Sequence, residues 1–191
     1  MPLGRNQSTG QVKRVAIWYN QLVNAFWSIL NFSPIGYFWF VGMTPYWFYT
    51  FLAVSVVTGF LPDSFFTMIR VGHTTSRYNK LGIRLVKRYT QDGDVVNALI
   101  RKRFPDYTPI RAMSVPQHLS KSSVNERFHF MCLVFFLLTT LYALVNGLWW
   151  WALIISLNNL FFNVYPIMLQ QYNRLRFEQL QKRRLAVGKT H

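Results

Sequence analysis

The sequence predicts an all-α integral membrane protein, with about four transmembrane helices as two hairpins and a basic amphipathic cytoplasmic segment between them. Two uncharged blocks and the placement of the charge lead there. No Lys, Arg, Asp or Glu occurs from Val15 to Pro62, and none from Phe128 to Asn173. Each block has room for two crossings, because a hydrocarbon core of about 30 Å takes roughly 20 residues of helix. The charge is confined to the flanks: three basic residues before the first block, twelve in the region 63–128 and six from Arg174 onward. A net charge of +15 would by itself suit nucleic acid. Its distribution argues against that partner, since topology already explains Lys and Arg on cytoplasmic flanks.

The N-terminal tail, residues 1–13, is polar and basic. No small-residue cleavage site ends a short apolar region after it, so a removable signal peptide is not expected. Residues 14–62 form the first predicted hairpin, divided at Ser33-Pro34-Ile35-Gly36, which reads as a turn. Its spans fall near 14–32 and 40–61. Asn20, Gln21 and Asn24 interrupt the first of these, so an interfacial helix is its alternative. Residues 129–172 form the second hairpin, divided at Asn146-Gly147. Trp149, Trp150 and Trp151 mark one membrane surface there, because Trp favours the headgroup level. The C-terminal tail, 173–191, is basic again. Three basic regions lie on one side only if even numbers of spans separate them, which places both termini in the cytoplasm.

The middle segment, 63–128, is too short and too basic for a large core of its own. Tyr78, Leu81, Leu85 and Tyr89 stand at helical spacing beside Lys80, Arg84, Lys87 and Arg88. A second stretch offers Asp94 as N-cap, with Val95, Leu99 and Ile100 apolar. Such helices lie on an anionic membrane surface, each basic residue contributing about 1 kcal/mol of attraction. A solvated basic loop is the alternative. Gln91 to Asp94 reads as a turn.

Chemistry-bearing residues are few. Asn159, Asn163, Pro166, Gln170 and Arg174 step by four, three, four and four, one stripe on a helix. Polar groups facing lipid would lack partners, so the stripe faces protein or a wet cavity. Pro166 also frees a carbonyl one turn earlier. Asn158 and Asn159 suit helix–helix hydrogen bonding, whereas Asn163, Gln170, Asn173 and Arg174 together suit a site. Glu126 and His129 stand three apart and share a helix face. A carboxylate beside an imidazole can fix its tautomer and raise its basicity, as in a general-base pair. A Glu-x-x-His metal site needs a second copy, which the six acidic residues do not supply, so no metal is expected. Cys132 reads as a small buried hydrophobe. His73 and His118 have no evident partner, and Ser120, Ser122 and Ser123 lie in no nucleophile-elbow context.

With Glu126-x-x-His129 opening one apolar helix, and Asn163-Val164, Pro166 and Gln170-Gln171-Tyr172-Asn173-Arg174 ending another, the chain resembles the glycosyl-4,4'-diaponeurosporenoate acyltransferases of bacterial carotenoid biosynthesis. Leu61-Pro62-Asp63 and the stretch after it resemble the family's opening, and the likeness spans roughly 61–184. The resemblance implies a multi-pass protein of the bacterial inner membrane. It implies transfer of a fatty acyl group to a sugar hydroxyl of a glycosylated carotenoid or similar glycolipid, with acyl-CoA as co-substrate and no resident cofactor. It places His129 as the base, oriented by Glu126, and Asn163, Gln170, Tyr172, Asn173 and Arg174 around the acceptor. The competing reading is a non-catalytic subunit or scaffold of a larger membrane complex, whose polar stripe would be an interface. The two differ in whether these residues converge on an enclosed pocket or face outward.

Overall fold

The computed structural model describes residues 5–41, 45–90, 93–107 and 114–188, and among them every regular element is helical. In chain order these are α1 (Arg5–Phe40), α2 (Pro45–Thr58), α3 (Asp63–Met68), α4 (Thr75–Lys80), α5 (Ile83–Tyr89), α6 (Asp94–Arg103), α7 (Val115–Val145) and α8 (Trp149–Asn159). A single π turn, Leu160–Val164, joins α8 to α9 (Tyr165–Gly188). Two helical stretches are both long and apolar enough to cross a membrane, Val115–Val145 and Trp149–Lys182. Tyr46–Thr58 is a shorter apolar helix.

The turn expected at Ser33–Gly36 is absent. Helix α1 runs on through Pro34 to Phe40, so the break in the first block falls later. Proline removes one backbone donor and leaves the Leu30 carbonyl, one turn earlier, without it. The Ser33 hydroxyl donates to the neighbouring Ile29 carbonyl at 2.6 Å. The Asn146-Gly147 break is observed. Gly147 adopts φ +72°, its N–H donates to Leu144 O, and the Leu148 N–H donates to Ala143 O. That pair of bonds closes the end of α7 as a Schellman cap, and Trp149 then opens α8.

Helix α7 starts well before the expected span, at Val115. Ser114 and Gln117 form a reciprocal capping box at its N-terminus, which satisfies two otherwise orphaned donors. His129 therefore sits in mid-helix, not at a helix end. Helix α7 packs against α2, α8 and α9, and α1 crosses α6 and α8. The main apolar core joins Ile35, Phe38 and Trp39 of α1 to Phe135 and Phe136 of α7 and Ile155 of α8.

The middle segment departs from the expected amphipathic surface helix. Gly82, at φ +78°, breaks it into α4 and α5. The break rotates the buried face: Tyr78 and Ile83 are fully buried against Met168, Leu169, Tyr172 and Leu175 of α9. Leu81, Leu85 and Tyr89 are left exposed, Leu85 at 64%. In α6, Val96 and Ile100 are buried while Val95 and Leu99 face outward, and the N-cap is Gly93 instead of Asp94. Gln91 and Asp92 of the expected turn lie outside the described residues. A Cβ at Gly82 meets open space, so Gly82→Ala isolates the cost of a left-handed backbone. We expect a loss of about 1–2 kcal/mol, read by thermal unfolding in detergent.

Candidate active site

Two polar constellations lie between α7 and α9, one sealed and one open. The sealed one centres on Glu126, 1% exposed. Its Oε1 accepts from Gln171 Nε2 at 2.9 Å, and its Oε2 accepts from Arg174 Nη2 in a buried ion pair. Gln171 Oε1 in turn faces the Tyr78 hydroxyl at 2.9 Å and accepts from the Val71 N–H at 3.2 Å. The Tyr78 hydroxyl also lies 3.1 Å from the Gly72 carbonyl. Burial pushes the Tyr78 pKa up from its ordinary value, so this hydroxyl remains a donor through the physiological range. The network fastens α7, α9 and the α3–α4 connection together. Tyr78→Phe leaves Gln171 short of a partner inside the core; we expect about 1–3 kcal/mol of lost stability, measured by chemical unfolding.

Beside that network, Arg127 donates to the Gly59 and Leu61 carbonyls and pairs with Asp63 at 2.6 Å. Its guanidinium also covers the Phe66 ring at 4.6 Å. The Pro62-Asp63 segment is thereby clamped onto α7.

The open constellation is a cavity of about 1180 Å³ between α1, α5, α6, α7 and α9. From α7 it is lined by His118, Ser122, Asn125 and His129, and from α9 by Pro166, Gln170, Asn173 and Phe177. Both sets step by four, three and four, so each is one face of its helix. Helix α1 adds Asn24, Ser28 and Asn31. These explain why the first uncharged block is interrupted by polar residues: part of its polar face looks inward. His118 stacks flat on Phe177, with ring centroids 4.3 Å apart.

The expected site residues therefore divide. His129, Gln170 and Asn173 line the cavity, while Glu126 and Arg174 belong to the sealed network. Tyr172 is buried in the apolar contact with α4 and α5, and Arg176 covers its ring at 5.8 Å. No hydrogen bond joins Glu126 to His129, and the carboxylate oxygens turn instead to Gln171 and Arg174 of α9. The helical period explains the split. Three residues fall about 60° short of a turn and four overshoot it by about 40°. Within the four-three-four lining sets these offsets cancel, whereas Glu126 and Arg174 each lie about 70° from the middle of the lining face.

Asn163 is fully buried and donates to Asn159 Oδ1 at 2.9 Å. Asn159 donates to the Leu133 carbonyl of α7 and Asn158 to the Asn31 carbonyl of α1, the inter-helix role expected of both. The π turn and Pro166 together disturb the backbone ladder next to Phe162. Its carbonyl and the Asn163 side chain face the imidazole of His129. Three buried polar atoms here make no hydrogen bond of good geometry within the protein: His129 Nδ1, Asn163 Oδ1 and Asn31 Oδ1. Buried polar atoms in native proteins are rarely left so, and π turns favour functional positions.

His118, Ser122 and Asn125 were not singled out as site residues from sequence. Their signal was present in the four-three-four spacing leading to His129. No group of three or more His, Cys, Asp or Glu side chains suited to a metal occurs among the described residues.

A family model described as glycosyl-4,4'-diaponeurosporenoate acyltransferase matches residues 62–183. Comparison with curated proteins and with solved structures finds no significant match. The matched stretch runs from the start of α3 into the last turns of α9, and it contains the sealed network and every cavity wall except α1. Since it covers well over half of the 191 residues, the chain belongs to the glycosyl-4,4'-diaponeurosporenoate acyltransferase family.

Proposed function

We propose that the protein is a membrane-embedded acyltransferase that moves a fatty acyl group from a thioester donor, acyl-CoA, to a sugar hydroxyl of a glycosylated carotenoid or similar glycolipid. The observation that carries this reading is the cavity, lined by the His129 imidazole with amide side chains around it. Its volume of about 1180 Å³ exceeds that of ordinary small-ligand pockets, about 300–1,000 Å³, and suits an amphiphile. Asn24, Ser28, Asn31, Asn125, Gln170 and Asn173 offer both donors and acceptors, as sugar hydroxyls require.

In this mechanism the acceptor hydroxyl oxygen attacks the thioester carbonyl carbon. His129 takes the hydroxyl proton as the new C–O bond forms, and the carbonyl becomes an oxyanion. Amide N–H groups such as those of Gln170 or Asn173 stabilise that charge. The C–S bond then breaks, and the imidazolium returns the proton to the leaving thiolate, so the balance closes without a metal or cofactor. Glu126 acts as a positioning residue: by holding Gln171 and Arg174 it fixes α9, and with it Gln170 and Asn173, opposite His129.

The exposed apolar side chains of α7 and α8, among them Leu137, Leu141, Leu153, Ile154 and Leu157, support insertion of this pair in a bilayer, with the acceptor entering laterally. Lining residues that point into a cavity favour the enzyme over a scaffold, whose stripe would face outward. The test is to supply acyl-CoA and a glycosylated carotenoid to the detergent-solubilised protein. Formation of the ester supports the reading. Absence of ester, with a second polypeptide co-purifying in fixed ratio, replaces it by the scaffold.

A further inference from the structure

We propose that the cavity mouth is a phosphate-binding subsite, built from Lys87, Arg101, Lys121 and Arg176, which holds the phosphopantetheine arm of the donor so that its thioester reaches His129. The inference rests on the transferase reading and adds to it where the donor's phosphate is held and which way the donor lies in the cavity.

The four cations come from four different helices, α5, α6, α7 and α9, and all line the same cavity. No Asp or Glu lines it among the described residues. Cytoplasmic placement alone would be served by side chains that point into solvent. Here the Lys87 ammonium is instead held below its ordinary pKa, first by burial and then by the nearby Arg176 charge, with Asp94 acting in the opposite direction. The Lys87–Arg176 pair of like charges at a partly desolvated wall is unfavourable for the empty protein, and a bound anion reverses the sign. Arg and Lys at such a rim are the usual recognition elements for phosphate.

The charge is also remote from the imidazole. Lys121 precedes His129 by eight residues of α7, a rise of about 12 Å. Between them the wall is neutral, with Ser122 and Asn125 on α7 and Gln170 and Asn173 on α9. That separation selects among activated acyl donors. A free fatty acid or an acyl phosphate carries its anion at the reacting carbon, and so would want the cations beside His129. In a phospholipid the phosphate lies only a few bonds from the ester. A phosphopantetheine thioester separates phosphorus from carbonyl by a chain of two amides, their methylenes and a branched carbinol unit, just under five extended residues in reach, ~16 Å. That is long enough to span from Lys121 to the imidazole.

Two sources carry this arm, free coenzyme A and an acyl carrier protein. The experiment measures binding of coenzyme A, of pantetheine (which lacks phosphate), and of holo and apo acyl carrier protein to the full chain in detergent. Coenzyme A or the holo carrier should bind about tenfold or more tightly than pantetheine or the apo carrier. Arg101→Gln with Arg176→Gln should remove that preference, while His129→Ala retains it. Preference for coenzyme A identifies the free thioester, and preference for the holo carrier identifies the protein-bound one. Equal binding of coenzyme A and pantetheine, with no holo-over-apo preference, overturns the subsite, as does an unchanged preference in the folded double variant. Transfer from S-acyl pantetheine at the acyl-CoA rate would remove the subsite and leave the transferase standing. Phosphate-dependent binding without any transfer would do the reverse.

Discussion

In the proposed mechanism, replacing His129 by alanine should lower acyl transfer by about 10²–10⁴-fold, the usual contribution of a general base, and should leave the unfolding temperature close to that of the wild type. Both halves follow from the geometry. The imidazole lines the cavity, and its Nδ1 makes no hydrogen bond of good geometry that folding would lose. A hydroxyl held at the cavity face of the ring loses its proton to the imidazole. His129→Gln tests the distinction between positioning and proton transfer, because an amide can accept a hydrogen bond but cannot take up the proton. Its turnover should fall with that of the alanine variant while acceptor binding is kept. A purely structural histidine would show the opposite pattern, a lowered unfolding temperature with turnover per folded molecule preserved.

Glu126→Ala should cost about 3–5 kcal/mol, because it strands the buried Arg174 guanidinium without its counter-charge. That is a large part of the roughly 5–15 kcal/mol by which domains are ordinarily stable, so little folded protein should be recovered. Gln171 also loses its acceptor in the same change. The partner substitution, Arg174→Ala, strands the carboxylate and should be comparably damaging. The double variant, Glu126→Leu with Arg174→Met, removes both charges and should be more stable than either single alanine variant. With the matching single variants Glu126→Leu and Arg174→Met, unfolding in detergent of these two, the double variant and the wild type closes a cycle that gives the coupling. If the losses simply added, Glu126 and Arg174 would not be acting as a pair.

Much of the architecture was legible because it depends on long-range composition. The all-helical fold, the Asn146-Gly147 break and the tryptophans that open α8 appear where the residues pointed. Helix interiors gave more trouble. Pro34 reads locally as a stop, yet α1 continues through it, since neighbouring packing outweighs one missing donor. Gly82 reads as a tolerable interruption, yet its left-handed backbone rotates the following turn and exchanges Leu85 for Ile83 in the core.

Within the site, spacing identified which residues are polar inside the second block but not which neighbour each one meets. Glu126 and His129 share a helix face only loosely, and a rotation of about 60° is enough to give one to α9 and the other to the cavity. The stripe through Arg174 divides for the same reason, and the π turn before Tyr165 adds a phase shift that no residue pattern announces. Conversely, His118, Ser122 and Asn125 carry a regular spacing, but their stretch precedes the uncharged block and so stands apart from the polar stripe within it. The α1 wall was hidden differently. Asn24, Ser28 and Asn31 look like defects in a span until α7 and α9 are placed opposite them.

The most direct measurement is the mass of the pigment in cells that make a glycosylated carotenoid and produce either the wild-type chain or His129→Ala. The account predicts a glycoside heavier by one fatty acyl group with the wild type, and the unacylated glycoside with the variant at equal protein level. Equal acylation in both cells would contradict His129 as the base. An unacylated glycoside in both would contradict the transferase itself.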